Sequence, residues 1–258
     1  MGKAKQLTVK PISSKDANEL VRKWHYSGKV APNSQLHFGV FLKGICGGVM
    51  QFGPSLDKKR MINLVKGTSW NGFLELNRMA FADFLPKNSE SRCIAIAIRF
   101  IKKTYPWIKW IVSFSDATQC GDGTIYRASG FVLTQIKKNS TILQFPSGER
   151  VTDIGLKQSP KAQIKFLGKL IGGTDCLRLA KKMGAVPAIG FQLRYVYFID
   201  KSCAGNLNAS IIPFSKIKEA GAAMYKGKSL SAQNIDSDVS SFQGEKGGAS
   251  PTCALQPS

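Results

Sequence analysis

The sequence lacks the residue patterns that hold most metal sites and small disulfide-rich domains. Its 258 residues include only two histidines, His25 and His37, and its six cysteines have no C-x-x-C spacing. Neither histidine has a second ligand at a diagnostic spacing. We therefore expect reduced thiols and no bound metal ion, and neither a zinc ribbon nor a disulfide framework is indicated.

Long hydrophobic runs are also missing. No stretch approaches the about 20 apolar residues that cross a bilayer, and the basic first ten residues contain no apolar run. A secretion signal has a different pattern. We expect a cytoplasmic protein without membrane spans.

Acidic residues are scarce. Lys and Arg number 37 against 16 Asp and Glu, which gives a formal net charge of +21. Such an excess attracts polyanions and makes binding salt-dependent, so nucleic acid is the first partner to consider. The alternative is a charge that only keeps the protein soluble. The basic residues of 58–60 and 157–182 are candidates for phosphate contacts, although each alone can be a solvated charge.

Residues 229–258 differ in composition from the rest of the chain. They are rich in Ser, Gly, Gln, Asp and Ala and have almost no aromatic residue. Such a segment cannot offset the entropy of ordering, so we expect a disordered tail. The tail is slightly acidic, so the positive charge belongs to residues 1–228, which are predicted to form a single catalytic domain.

Hydrophobic periodicity predicts an α/β fold. Alternating or continuous apolar runs predict strands at 7–12, 37–42, 45–52, 73–81, 108–114 and 191–199, with another opening at Gly130. Lys43-Gly44 splits two of these runs into a hairpin. Helices are predicted from Ser13–Asp16 to near His25, from a cap at Ser89 or Ser91 to before Pro106, over 124–128, and over most of 157–182.

This order of elements resembles the Gcn5-related N-acyltransferase fold. The resemblance implies a central mixed, mostly antiparallel sheet flanked by helices. Ile125-Tyr-Arg-Ala-Ser-Gly-Phe131 resembles the tyrosine-to-Gly-Phe segment of that family. It implies that Tyr126 is a general acid toward a leaving thiolate. A tyrosine packed into the core is the alternative, and its phenol would then still need a hydrogen bond.

Four further segments, taken in order, resemble the Mom proteins of phages. They are Trp24-His-Tyr-Ser-Gly28, Leu76-Asn-Arg-Met-Ala-Phe81, Pro86-Lys-Asn-Ser-Glu-Ser91 and Ser113-Phe-Ser-Asp116. The resemblance covers roughly residues 7–200. It implies an enzyme that modifies adenine N6 in double-stranded DNA with a carbamoylmethyl group, in the host cytoplasm, and so shields viral DNA from restriction endonucleases. The oligomeric state stays open, with a homodimer as one option.

Asp116 is the candidate proton acceptor. Adenine N6 is a poor nucleophile because its lone pair is delocalised into the ring, so a group must accept its proton as the new bond forms. Asp116 is predicted just beyond the end of a buried strand, where open α/β sheets gather their chemistry. An aspartate that only caps the next turn is the alternative. Ser115 and Arg78 are candidate substrate-binding residues.

His25, Tyr26 and Asn77 complete the predicted adenine site. The target base must leave the duplex, and Tyr26 is a candidate for stacking on it. His25 could relay a proton or orient the acceptor. Packing of this helix end into the core is the alternative. Asn77 lies in an apolar strand and needs a definite partner, which is either the adenine edge or neighbouring backbone.

The candidate donor-binding residues lie at the start of the helix that follows 85–90. Most acyl-CoA users of the fold have a glycine-containing loop there, but Leu85 to Ser91 contains none. The helix N-terminus can still hold an anion, with help from Lys87, Ser89, Ser91 and Arg92. An acyl-CoA, a glycyl-tRNA and another two-carbon donor all stay open.

Two other functions stay open at this point. One is an N-acyltransferase that acts on a protein, an RNA or a small amine. The other is a non-catalytic DNA-binding protein with the same fold. The net charge favours DNA, and polar residues at sheet ends favour catalysis.

Overall fold

A computed structural model describes residues 3–225 and 228–230 of the chain. The chain divides into two compact units, and each is described by itself below. The first comprises Met1–Ile136 with Leu193–Ser258, and the second comprises Lys137–Gln192. The second is called the insertion unit, because it interrupts the first in sequence. The predicted tail lies outside the described residues from 231 onward.

The strands and helices alternate along most of the chain. The strands are β1 (Leu7–Pro11), β2 (Leu36–Leu42), β3 (Ile45–Gly53), β4 (Phe73–Phe81), β5 (Trp110–Ala117), β6 (Val132–Lys138), β7 (Ile142–Gln144), β8 (Arg150–Thr152), β9 (Val186–Pro187), β10 (Phe191–Phe198), β11 (Met224–Tyr225) and β12 (Lys228–Ser229). The helices are α1 (Ser14–Trp24), α2 (Lys58–Met61), α3 (Ser89–Thr104), α4 (Thr124–Ala128), α5 (Asp153–Gln158), α6 (Pro160–Leu167), α7 (Asp175–Lys182) and α8 (Ser215–Glu219). Three short 3₁₀ helices lie at Lys3–Gln6, Ile62–Leu64 and Lys201–Asn206.

Seven strands form the main sheet, in the order β1-β2-β3-β4-β5-β10-β6. Neighbours from β1 to β4 are antiparallel, whereas β4 and β5 are parallel. The predicted mixed, mostly antiparallel sheet flanked by helices is confirmed. β4 and β5 are paired only over the first three residues of each strand, from Phe73 opposite Trp110 to Glu75 opposite Val112. The carboxyl ends of both strands lie beyond this pairing.

The hairpin of β2 and β3 follows from its turn residues. Lys43 and Gly44 have φ angles of 50° and 84°, as a tight two-residue hairpin turn requires. The strands themselves are apolar and largely buried. This hairpin and β4 were predicted within one or two residues at each end.

Helix α1 covers one face of the sheet. Ser13 caps it, since the Ser13 hydroxyl accepts a hydrogen bond from the Asp16 amide. Ala17 and Val21 are completely buried and pack with Val49 and Ala80 of the sheet. Burial of such an apolar stripe stabilises a helix far more than its intrinsic propensity does.

Helix α3 begins differently from the prediction. A cap at Ser89 or Ser91 is wrong, because Asn88 precedes the helix with a left-handed φ of 65° and its side chain caps nothing. Asparagine tolerates this conformation better than most residues do. The strand predicted at 108–114 is also shifted, because β5 runs to Ala117, so Asp116 lies within it rather than beyond it.

A cluster of aromatic and aliphatic side chains holds the start of β4 to β5. The rings of Phe73 and Trp110 are stacked with centroids 4.4 Å apart. Val112, Val196 and Phe198 extend this cluster across β5 and β10. The Trp110 indole N–H donates to Thr68 Oγ1, so burial leaves its polar group satisfied. The cluster packs the amino ends of β4 and β5 together, where the two strands are paired.

The insertion unit has a core of its own. Its strands form a three-stranded sheet in the order β8-β7-β9, and helices α5, α6 and α7 pack on one another. Eight side chains form its buried core: Leu143, Phe145, Val151, Leu156, Leu167, Cys176, Ala180 and Ala185. The prediction of a mostly helical 157–182 is confirmed, but the short strands were missed. Within the described residues, no helix is long and apolar enough to cross a membrane.

Candidate active site

The candidate site lies where four elements of the first unit meet. The segment after α1 supplies His25 and Tyr26, and β4 supplies Glu75, Asn77 and Arg78. The carboxyl end of β5 supplies Asp116, and α4 supplies Tyr126. The contacts described next connect these elements, although their residues are up to about a hundred positions apart in the chain.

Asp116 is hydrogen-bonded through both carboxylate oxygens. Oδ1 accepts from the Thr118 amide at 2.9 Å, and Oδ2 accepts from Tyr26 Oη at 3.1 Å and from Gln119 Nε2 at 3.0 Å. The contact with the Thr118 amide is the turn cap that the sequence offered as the alternative to a catalytic role for Asp116. The second contact points the same carboxylate at the end of α1. One side chain therefore fixes a turn and faces the predicted site.

Buried His25 and partly buried Tyr26 form a ring pair with centroids 4.4 Å apart. Burial, assisted by the charge of Arg78, lowers the pKa of His25 to about 4, so the imidazole is neutral at physiological pH. The Ser27 amide donates to His25 Nδ1 at 3.2 Å, which places the proton of the neutral ring on Nε2. Burial and the negative charge of Asp116 raise the pKa of Tyr26, so its hydroxyl stays a donor.

A β-bulge in β4 determines the direction of Asn77. The register with β3 pairs Arg78 with Gln51 but Leu76 with Phe52, so Asn77 is the extra residue. Asn77 Oδ1 accepts from Ser34 Oγ at 3.1 Å, and a further hydrogen bond joins its side chain to Glu75. The partners of the amide are thus side chains, which neither sequence alternative included.

Glu75 is the residue that sequence reasoning missed. Burial raises the pKa of its carboxyl, against the opposing effects of hydrogen bonds from Ser55 and Asn77 and of the charge of Arg78. The single acidic residue of a mainly apolar strand was available as a signal, because such a group is costly to bury without partners.

Arg78 is the cation shared by the whole site. Its Nε donates to the Lys29 carbonyl at 2.9 Å, and one terminal nitrogen donates to the Asn77 carbonyl at 2.7 Å. Its charge acts on the ionisation of His25, Tyr26, Glu75 and Tyr126. Two backbone carbonyls therefore hold the guanidinium, and its positive charge acts both on the pair of His25 and Tyr26 and on Tyr126.

Tyr126 is buried, and its ring lies 5.5 Å from that of Phe131 and 5.3 Å from that of Tyr195. Its hydroxyl is hydrogen-bonded to Ser113, and burial raises the pKa of the phenol to about 12. The core packing foreseen as the alternative is present, and the phenol has the partner that this alternative required. A protonated phenol can still donate when a leaving group reaches it.

Ser115 faces the loop after β5 rather than the other polar side chains. Its hydroxyl donates to the Gly121 carbonyl at 2.6 Å. In the same loop, Asp122 accepts from Thr124 and from Arg127, and the Asp122 carbonyl accepts from Tyr195. These contacts fix the segment between Asp116 and Tyr126.

A cavity of about 410 Å³ opens at the start of α3. It is lined by Ala4, Lys5, Asn88, Ser91, Arg92, Ala95, Arg99, Ala128 and Ser129. Of the predicted donor-binding residues, Ser91 and Arg92 line this cavity. Ser89 is buried with its hydroxyl on the Pro86 carbonyl, and Lys87 is exposed outside the lining. Lys5 and Arg99 are lining cations that sequence reasoning did not select.

The described side chains can donate, accept and relay protons. Within this part of the chain, no group of three His, Cys, Asp or Glu side chains is placed to hold a metal ion. A neutral imidazole, a partly buried carboxyl and two protonated phenols lie within the field of one arginine, and one of these phenols is hydrogen-bonded to the Asp116 carboxylate. This combination is typical of general acid and base chemistry.

Comparison with known proteins places these features in a family. Residues 6–216 match the model of the Mom protein family. The chain is 33% identical over 210 residues to the methylcarbamoylase Mom of Escherichia phage Mu, which covers 81% of this chain and 82% of that protein.

Solved structures of acetyltransferases are more distant. A spermidine/spermine N-acetyltransferase from Vibrio cholerae is 10% identical, with a TM-score of 0.42 over 78% of this chain and 96% of that one. An acetyltransferase from Bacillus cereus is also 10% identical, with a TM-score of 0.40 over 74% and 99%.

Proposed function

This chain belongs to the Mom protein family, and from that premise we propose that it transfers a carbamoylmethyl group to adenine N6 in double-stranded DNA. The match to a phage methylcarbamoylase supports this reaction. The net charge of +21 supports DNA as the partner. The observation that carries the proposal is the hydrogen bond between Tyr26 and Asp116, because it directs a carboxylate toward the aromatic pair after α1.

The target base is proposed to leave the duplex before reaction. N6 lies inside the stacked helix, so a flipped adenine must be held by contacts that repay a few kcal/mol of unpairing. The ring pair of His25 and Tyr26 supplies an aromatic surface for stacking. Asn77 and Arg78 are proposed to contact the base, with Asn77 held in place by Ser34, and Ser115 is proposed to act through the loop that its hydroxyl fixes.

Asp116 is proposed to accept the proton of N6. As N6 forms a bond to the electrophilic carbon of the donor, its acidity rises and the carboxylate takes the proton. Tyr26 orients that carboxylate, and neutral His25 orients Tyr26 by ring contact. Asp116 keeps its own geometry because the Thr118 amide fixes its other oxygen.

Tyr126 is proposed to protonate the leaving group. N6 is proposed to attack the methylene carbon of a carbamoylmethyl donor. The bond from that methylene to its carrier breaks as the carbon–nitrogen bond forms, Asp116 takes the N6 proton, and the phenol supplies the proton that the departing carrier needs. Its raised pKa keeps the phenol protonated at physiological pH. The charge of Arg78 stabilises the phenolate that remains.

The cavity at the start of α3 is proposed to hold the anionic part of the donor. Lys5, Arg92 and Arg99 line it, together with the Ser91 hydroxyl and the amino end of a 16-residue helix. Lys87 and Ser89 do not line this cavity: Lys87 is exposed, and the Ser89 hydroxyl donates to the Pro86 carbonyl in the first turn of α3. An acyl-CoA and a glycyl-tRNA both carry phosphates that fit such a cation set. Attack of N6 on the carbonyl carbon of either one gives an N6-acyl adenine, so the carbamoylmethyl product requires a phosphate-bearing carrier that is bonded to the methylene carbon.

The biological consequence would be protection of phage DNA in the host cytoplasm. A bulky group on N6 obstructs restriction endonucleases that read adenine in the major groove. The test is to express the chain in a bacterium and digest the genomic DNA with an adenine-reading endonuclease. Resistance with the wild type and full cleavage with an Asp116→Ala variant are expected. Full cleavage with both proteins would refute the proposal.

A further inference from the structure

The insertion unit carries a strong positive charge that the active site does not use. Residues 137–192 contain ten Lys and Arg residues and three acidic residues. Each acidic residue is already paired, in the contacts of Lys157 with Asp153, Lys165 with Glu149, and Arg178 with Asp175. The unit therefore has seven more basic than acidic residues, which gives it a net charge of +7.

Helices α6 and α7 pack on each other, and each is amphipathic with a basic exposed side. Helix α6 buries Gln163 and Leu167 and exposes Lys161 and Lys165. Helix α7 buries Cys176 and Ala180 and exposes Arg178, Lys181 and Lys182. Lys169, just after α6, is exposed as well. The six basic residues Lys161, Lys165, Lys169, Arg178, Lys181 and Lys182 are called the basic face below.

Internal stability does not explain this charge. The pairs that involve the basic face are exposed ion pairs, which contribute little to stability. The unit has its own core, so its fold does not depend on these surface lysines. Lys181 and Lys182 lie three and four residues after Arg178 in the last turn of α7. The helix dipole favours cations there, whereas like charges at this spacing repel one another, and these small opposing effects do not account for the charge of the unit.

We propose that the insertion unit is a DNA-docking module whose basic face binds the phosphate backbone of the duplex. The inference rests on the proposed function and extends it, because it assigns duplex binding to a part of the chain separate from the adenine chemistry. Such contacts fix the position of a protein on DNA without reading sequence. The fold supplies one unit for reaction and a second, compact unit for holding the duplex.

A protein partner is the main alternative to DNA, because apolar side chains are exposed on the same unit. Ile164 and Ile189 are exposed on the same unit, Ile189 to 90%. A second copy of the chain would cover such groups. The charge favours DNA, because two copies that each carry +7 on this unit would repel one another there.

The test compares DNA affinity at several salt concentrations for two full-length variants of equal charge. The first is Lys161→Gln, Lys165→Gln, Lys181→Gln and Lys182→Gln together. The matched control changes Lys15, Lys102, Lys103 and Lys218 to Gln, all of them exposed and in the first unit. The probe is a labelled duplex of about two helical turns, roughly 20 base pairs, measured by fluorescence anisotropy.

Each lysine that contacts a phosphate contributes about one unit to the slope of log affinity against log salt. We expect the first variant to lower this slope by about 2 to 4 and the control by less than about 1. Equal losses in both variants would overturn the inference, because net charge alone would then account for binding. An unchanged slope, with a change in oligomeric state by light scattering, would assign the face to a second copy instead.

The design separates this inference from the proposed reaction. Binding is measured without donor, so it does not depend on whether adenine is modified. Wild type that binds through the basic face but leaves DNA unmodified would refute the reaction and keep the docking module. Thermal unfolding of both variants by circular dichroism controls for folding.

Discussion

The Tyr26 hydroxyl donates a 3.1 Å hydrogen bond to Asp116 Oδ2, and so joins the end of α1 to β5 across 90 residues of chain. The same carboxylate accepts from the Thr118 amide and the Gln119 side chain. A carboxylate with this many donors is fixed in direction, which is what a proton acceptor for a weak nucleophile requires.

Tyr26→Phe tests the contribution of this hydrogen bond. The ring and its contact with His25 remain, whereas the donor to Asp116 is lost. A hydrogen bond to a charged group is worth about 1.5 to 3 kcal/mol, so we expect DNA modification to slow by about 10- to 100-fold. The rate is measured as modified adenine formed with time in a defined duplex.

Tyr105→Phe is the matched control for this variant, because Tyr105 lies outside the site and loses the same hydroxyl. It should keep the wild-type rate. If Tyr26→Phe also keeps that rate, the hydrogen bond has no part in the reaction.

Tyr126→Phe separates proton donation from packing. Phenylalanine preserves the contacts with Phe131 and Tyr195 but removes the hydroxyl that is bonded to Ser113. General acid catalysis contributes about 10²- to 10⁴-fold, so we expect a rate loss in this range with little change in melting temperature. Tyr126→Ala should lower the melting temperature as well. A Phe variant with the full rate would assign Tyr126 to the core alone.

Glu75→Gln tests the buried carboxyl that the sequence reasoning missed. Glutamine has a similar size but replaces the titratable carboxyl near Arg78 with a neutral amide, which has one acceptor oxygen instead of two. We expect at least about a 10-fold slower modification, with Glu19→Gln, on the exposed side of α1, as a neutral control. Kinetics equal to wild type would remove Glu75 from the site.

His25 gives the fold a defined sensitivity to acid. Its folded pKa of about 4 lies below its ordinary value of 6.5, so the unfolded chain binds the proton first as the pH falls. Stability is therefore unaffected by this group above about pH 6.5 and is lost progressively down to pH 4, by up to about 3 kcal/mol.

Urea unfolding at pH 7.5, 6, 5 and 4.5 measures this loss, with His25→Asn as the comparison. The variant should lose less stability than the wild type over the same interval. Parallel curves for the two proteins would contradict a buried neutral imidazole.

Regular apolar periodicity made much of the first unit predictable. The strand at Phe73–Phe81 and the helix at Thr124–Ala128 were predicted at their observed bounds, because apolar runs and polar turns mark them clearly. The start of α3 was not, because Asn88 reaches it through a left-handed conformation rather than a side-chain cap. The strands of the insertion unit are two or three residues long, too short for periodicity to register.

The site was predictable as a set of residues but not as a geometry. Asp116, Tyr26 and Arg78 stood out by type and by family resemblance, whereas the bond between Tyr26 and Asp116 depends on how α1 packs on the sheet. The direction of Asn77 depends on a bulge that only the pairing with β3 defines. In the sequence, Glu75 is one of several polar residues in a strand, and only the folded structure shows that burial acts on its carboxyl.

The most direct test of the central claim is mass spectrometry of nucleosides from the DNA of a bacterium that expresses the wild type, beside one that expresses Asp116→Ala. We predict an adenine nucleoside about 57 Da heavier with the wild type alone, the mass of a carbamoylmethyl group in place of one hydrogen. Fragmentation against a synthetic N6-carbamoylmethyl standard distinguishes it from an isomeric glycyl adduct, and circular dichroism confirms that the variant is folded. Unmodified adenine in both samples, or equal modification in both, would contradict the account.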